Sequence, residues 1–188
     1  MNEKKVCLFL AEGFEMVEAL TAVDVLRRAG IPVTTVSVSE DENVKSSHGV
    51  IIRADTAIDR FSFEGYDMIL LPGGQPGTGN LAKCRKLTEA ILSFSKEKKE
   101  LAAICAAPTV LGGLGLLKGK KATCYPGCDS GMGGAMVTNE AVTVTGNIIT
   151  GRGMGCAIPF ALTIVAHYLG IEKAEEIRKQ IVYGALED

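Results

Sequence analysis

No apolar run in this chain reaches the roughly 18 residues that a membrane-spanning helix needs. Charge of one sign is also lacking. The formal net charge is −2, so neither nucleic acid nor an anionic membrane is expected as a partner. Histidine is scarce, with only His48 and His167. Neither is next to a cysteine in sequence, so no Cys–His pair is visible. By default, His48 is a solvated loop residue and His167 a core or boundary residue of the last apolar helix. The sequence has no Gly-x-x-x-x-Gly-Lys-Ser/Thr loop. Gly151-Arg152-Gly153-Met154-Gly155 has the wrong spacing for Gly-x-Gly-x-x-Gly. Nucleotide binding is therefore not expected, and Arg152 reads as a wall or anion contact near a cleft. With no repeat, linker or low-complexity tract, residues 1–188 are read as one domain.

What is there is a glycine-rich, 47% hydrophobic chain with six cysteines, Cys7, Cys84, Cys105, Cys124, Cys128 and Cys156. They are scattered, in a chain too large to need disulfide staples. Residues 6–11 read as a first strand rather than a signal sequence. Reduced thiols and a cytoplasmic location are expected. Cys124 and Cys128 are too loosely spaced, and too far from either histidine, to predict a zinc site. No metal or cofactor is expected.

Apolar runs alternate with amphipathic stretches. Strands are predicted at 5–11, 32–39, 50–53 (a hairpin with residues near Val44), 67–71 and 101–104. Helices are predicted at 16–29, 81–99, 109–117, 157–169 and 172–182, with a β-rich stretch at 122–150. Short apolar strands alternating with helices predict a parallel sheet covered on both faces. Loops at 12–18, 72–79 and 105–108 would gather at the carboxyl ends of its strands.

Cys105 lies in Leu-Ala-Ala-Ile-Cys-Ala-Ala-Pro-Thr, a buried strand running through a sharp turn into a helix. That pattern reads as a nucleophile elbow with cysteine as the nucleophile. A helix N-terminus favours the thiolate, so an acidic thiol is expected. The plain alternative is a buried structural cysteine. Backbone N–H groups of the Pro72-Gly73-Gly74 loop, with the one after Cys105, would form an oxyanion hole. The alternative there is an ordinary strand-to-helix turn. Glu15 and Glu18 both stand where a carboxyl could meet the sulfur. The residues alone do not choose between them.

Together, Ala11-Glu12-Gly13-Phe14-Glu15-Met16-Val17-Glu18, Leu71-Pro72-Gly73-Gly74, Ala102-Ala103-Ile104-Cys105-Ala106-Ala107-Pro108-Thr109 and Arg152-Gly153 resemble the ThiJ/PfpI superfamily. Within it, the resemblance is to the subfamily of the parkinsonism-associated protein deglycase (DJ-one). The resemblance implies a flavodoxin-like three-layer α/β sandwich and a homodimer. It implies Cys105 as nucleophile, Glu18 as its carboxyl partner, and the N–H groups of Gly74 and Ala106 as oxyanion donors. It further implies a cofactor-free glyoxalase or deglycase acting on 2-oxoaldehydes or their adducts, with a stress-protective role. The alternative is a non-catalytic redox sensor or chaperone-like protein that signals through Cys105 oxidation. The chain departs from the pattern at Tyr125, where family members often carry histidine, and at His48, where some carry arginine. Both are held as cleft or dimer-side contacts, with Glu15. Ala106 stands where the protease-like branch has histidine, which argues against peptidase activity.

Overall fold

The alternating apolar runs form the strands of one seven-stranded sheet in a computed structural model, which describes residues 4–184. The described residues hold eleven strands, seven in this sheet and the rest in the pairs β3–β4 and β8–β9: β1 (Val6–Leu10), β2 (Val33–Ser37), β3 (Asn43–Lys45), β4 (Ile51–Arg53), β5 (Thr56–Ala57), β6 (Met68–Leu71), β7 (Glu100–Ile104), β8 (Lys121–Thr123), β9 (Met136–Thr138), β10 (Val142–Thr145) and β11 (Ile148–Gly151). The helices are α1 (Met16–Arg28), α2 (Gly77–Lys83), α3 (Arg85–Lys96), α4 (Pro108–Gly113), α5 (Ala157–Leu169) and α6 (Ile171–Gln180). The main sheet runs β10-β11-β7-β6-β1-β2-β5 and is parallel except for the β10–β11 pair. This is the flavodoxin-like three-layer sandwich.

Side chains alternate across the sheet, as a strand's two-residue period requires. Val6, Leu8 and Leu10 of β1 pack with Leu26 of α1 and with Phe160 and Ile164 of α5. Cys7 and Phe9 point the other way, into a second core with Leu87, Ile91 and Phe94 of α3. In α1 the buried stripe is Ala19, Ala22, Val23 and Leu26, spaced for one face of a helix. Val17 and Leu20 lie off that face and are exposed.

Two helices differ from expectation. The segment 81–99 is not one helix but two, broken at Cys84, where the backbone is extended. Leu81 and Leu87 are both fully buried. A single helix would place residues six apart about 120° from each other around its axis. The break lets both reach the core. The helix after Cys105 ends at Gly113 rather than near residue 117. Glycines at 112, 113 and 115 oppose helix continuation. The hairpin expected near Val44 is present as β3–β4.

Strand order places the site. From β1 the chain moves to β2 on one side, then resumes at β6 on the other. The carboxyl ends of β1, β6 and β7 open around that switch point, where such sheets form a crevice. No helix among the described residues is long and apolar enough to cross a membrane.

Candidate active site

Cys105 follows β7 directly and has φ 65°, a left-handed conformation uncommon outside glycine. Such a backbone costs on the order of 1–3 kcal/mol and persists only where its surroundings hold it. Here they do. The Cys105 N–H donates to Gly151 O at 2.9 Å, and Cys105 O accepts from the Tyr125 N–H at 2.7 Å. Thr109 Oγ1 donates to Ala106 O at 2.7 Å. The elbow is thereby fastened to β11, to the segment after β8 and to its own following helix.

Glu18, in the first turn of α1, is only 1% exposed. Its Oε2 accepts from the Gly73 N–H at 2.8 Å, while Oε1 is buried with no hydrogen-bond partner among the described residues. Burial raises the carboxyl to about 7, against the pull of the Gly73 N–H. The carboxyl stands beside the Cys105 sulfur, and each group shifts the other's proton affinity. The expectation of an acidic thiol is corrected here. Burial and the neighbouring Glu18 carboxylate push Cys105 up to about 12, despite the opposing Ala106 and Gly74 amides.

Gly73 makes this approach possible. A Cβ there would lie 2.7 Å from Cys105 Cβ and 2.9 Å from Glu18 Oε2. The Gly74 and Ala106 amides face the sulfur. Among the described residues, neither donates to another backbone carbonyl. Sulfur, carboxyl and amides open into a cleft of about 350 Å³ lined by Glu15, Gln75, Tyr125, Cys128 and Met154.

Comparisons with known proteins agree with this architecture. The DJ-1/PfpI family model matches residues 4–167. The chain belongs to the DJ-1/PfpI family. Protein DJ-1 homolog B of Arabidopsis thaliana is 39% identical over 183 residues, covering 96% of this chain and 42% of its own length. The chain thus spans less than half of that relative. A Caenorhabditis elegans protein named Glutathione-independent glyoxalase DJR-1.2 is 34% identical, with 90% of this chain and 91% of that one covered. The structure of oxidized Toxoplasma gondii DJ-1 superposes with a TM-score of 0.92 at 37% identity, covering 96% and 99% of the two chains.

The other predicted residues of this DJ-1/PfpI family member are placed unevenly. Glu15 caps α1, accepts from the Val17 N–H at 3.3 Å and borders the cleft. His48 is 70% exposed and stands 3.7 Å from Glu15, outside the cleft lining. Tyr125 lines the cleft mouth, 52% exposed. Arg152 does not line it. Its guanidinium donates to Thr138 O at 3.3 Å, so it braces β9. Sequence reasoning weighed Cys128 only as a zinc ligand and missed it as a cleft residue. Pro126-Gly127 marks the turn that carries it. Among the described residues no group of three or more His, Cys, Asp and Glu side chains could hold a metal ion.

Proposed function

We propose that the protein is a glyoxalase-type enzyme that converts 2-oxoaldehydes such as methylglyoxal to 2-hydroxy acids without glutathione. The observation that carries this reading is the buried Glu18 carboxyl, at about 7, set against the Cys105 sulfur. A carboxyl so tuned can exchange protons near neutral pH. The name of the Caenorhabditis elegans relative points the same way.

Glu18 takes the thiol proton as Cys105 Sγ bonds to the aldehyde carbon. The resulting oxyanion of the hemithioacetal is met by the Gly74 and Ala106 amides, two donors aimed at developing charge. Glu18 returns that proton to the oxyanion, giving the neutral hemithioacetal, and, ionised again, carries the proton of the former aldehyde carbon to the adjacent ketone carbon through an enediol. The first carbon becomes a thioester and the second an alcohol. Water releases the 2-hydroxy acid and returns the thiol. One carbon is oxidised as its neighbour is reduced, so electrons balance within the substrate. The cleft of about 350 Å³, lined by two carboxylates and no Lys or Arg, suits a small neutral substrate.

Action on methylglyoxal adducts, a stress-protective role, a cytoplasmic location and a homodimer belong to the same reading. Six free thiols suit a reducing compartment. Exposed Val17, Leu20, Val50 and Ile51 offer apolar surface to a second copy.

Proton NMR of the purified protein with methylglyoxal, glyoxal and phenylglyoxal, each without glutathione, tests the reading. The 2-hydroxy acid should accumulate in many-fold excess over protein. Consumption that stops at one equivalent per chain would instead favour a stoichiometric sensor.

A further inference from the structure

The cleft holds a second thiol, Cys128, for which the proposed reaction has no use. Cys7 and Cys124 are buried in the core, and Cys84 and Cys156 do not line the cleft. Among the five other cysteines, Cys128 alone shares the cleft with Cys105.

The backbone ties the two together. Cys105 O accepts from the Tyr125 N–H at 2.7 Å, and Tyr125 O accepts from the Cys128 N–H at 3.0 Å. Residues 125–128 form a turn with Pro126 second and Gly127, at φ 89°, third. That is the arrangement of a type II turn, which folds Cys128 back beside Tyr125, the residue hydrogen-bonded to Cys105. A disulfide needs Cα atoms within roughly 7 Å, so the turn must carry Cys128 towards Cys105 for the bond to close. Tyr125, Pro126 and Gly127 are all exposed, so this turn can shift towards Cys105 without disturbing the sheet.

The two sulfurs differ in surroundings. Amides of Gly74 and Ala106 face Cys105 and favour negative charge on it or on an oxygen bonded to it. Burial, and then Asp129 beside it, push the Cys128 thiol up. Burial and Glu18 raise the resting Cys105 thiol, but Glu18 can take its proton as the sulfur attacks and the Gly74 and Ala106 amides can hold the charge that develops, so oxidation starts at Cys105 and Cys128 is left as the reduced partner.

We propose that Cys128 is the resolving thiol of Cys105, closing the site as a reversible intramolecular disulfide when a hydroperoxide oxidises it. In the first step Cys105 Sγ bonds to the terminal peroxide oxygen and the O–O bond breaks. Sulfur is oxidised by two electrons to the sulfenic acid, and the peroxide leaves as water or an alcohol. In the second, Cys128 Sγ attacks Cys105 Sγ. The S–S bond forms, the S–O bond breaks, and the oxygen departs as water with the Cys128 proton. A dithiol reductant restores both thiols. The fast second step keeps Cys105 from further oxidation to the sulfinic acid. This rests on the reading of Cys105 as the reactive thiol of the cleft.

The test treats the wild type, Cys128→Ser and Cys105→Ser with increasing hydrogen peroxide. Intact mass, non-reducing peptide mapping, and methylglyoxal turnover before and after dithiothreitol are then read. The wild type should lose two hydrogens, yield a Cys105–Cys128 linked peptide within one chain, and regain its turnover on reduction. Cys128→Ser should gain two oxygens at Cys105 and not recover. Wild type that gains two oxygens as fast as Cys128→Ser overturns the proposal. So does a disulfide to another cysteine or between chains. Absence of turnover in untreated protein counts against the glyoxalase reading alone, because peptide mapping still decides the disulfide.

Discussion

Glu18 and Cys105 meet across a position that has no side chain. A Cβ at residue 73 would sit 2.7 Å from Cys105 Cβ and 2.9 Å from Glu18 Oε2, and the Gly73 N–H itself holds the Glu18 carboxyl at 2.8 Å. The carboxyl is kept against the sulfur by a backbone that is thin at that point.

Gly73→Ala should therefore separate the pair. A methyl forced into a filled site costs typically about 1–3 kcal/mol. Urea unfolding should show a loss of that order. Turnover should fall by at least about 100-fold, because proton transfer depends on the lost geometry. A Gly73→Ala protein with wild-type kcat/KM would show that the Glu18–Cys105 approach does not matter to the reaction.

Glu18 should also set the pH dependence of activity. Its carboxyl accepts the thiol proton only when ionised, and burial holds it at about 7. The kcat/KM for methylglyoxal should rise through about pH 7 and then level, with the proton shared by the pair rather than owned by either group. A profile flat from pH 5 to 8, at about constant KM, would speak against Glu18 as base.

Stability carries the same signature. The carboxyl has an ordinary value of 4.5 and is raised to about 7 on folding. Between those values the native state holds a proton that the unfolded state has released. This contribution is full below about 4.5 and is lost as pH rises through about 7. It amounts to roughly 3 kcal/mol at most. Glu18→Gln lacks this titration, so its stability relative to wild type should grow between pH 5 and 8 in paired denaturant melts. A constant difference across that range would mean Glu18 ionises normally.

Glu18→Gln should lower, not raise, the Cys105 thiol pKa. Removing the carboxylate takes away one of the two influences that push the thiol up and leaves the helpful Gly74 and Ala106 amides in place. The pH midpoint for iodoacetamide labelling of Cys105 should shift downward in the variant. An upward shift would mean Glu18 is neutral beside a thiolate in the wild type.

The sheet was legible because β1, β6 and β7 are apolar at almost every position, as strands covered on both faces must be. Cys105 was legible because small residues, a turn and a proline-led helix surround it. The choice between Glu15 and Glu18 was not legible from the residues, since both belong to one turn's approach. Packing settles which is buried: Glu15 caps α1 and turns to Ser47 and His48, while Glu18 points inward to Gly73. The upward push on the thiol was not legible because it comes from burial and from a carboxylate on a distant segment. Cys128 was hidden for a similar reason. Its place in the cleft depends on the segment after β8 being hydrogen-bonded back to Cys105.

The rate of lactate formation from methylglyoxal without glutathione, measured side by side for wild type, Cys105→Ser and Glu18→Gln, tests the account most directly. Wild type should form lactate over many turnovers. Cys105→Ser should form none above the uncatalysed rate, and Glu18→Gln should be slower by about 10²–10⁴-fold, the range for loss of a positioned proton-transfer group. Lactate formed equally by all three proteins, or methylglyoxal consumed by wild type with no lactate, would contradict it.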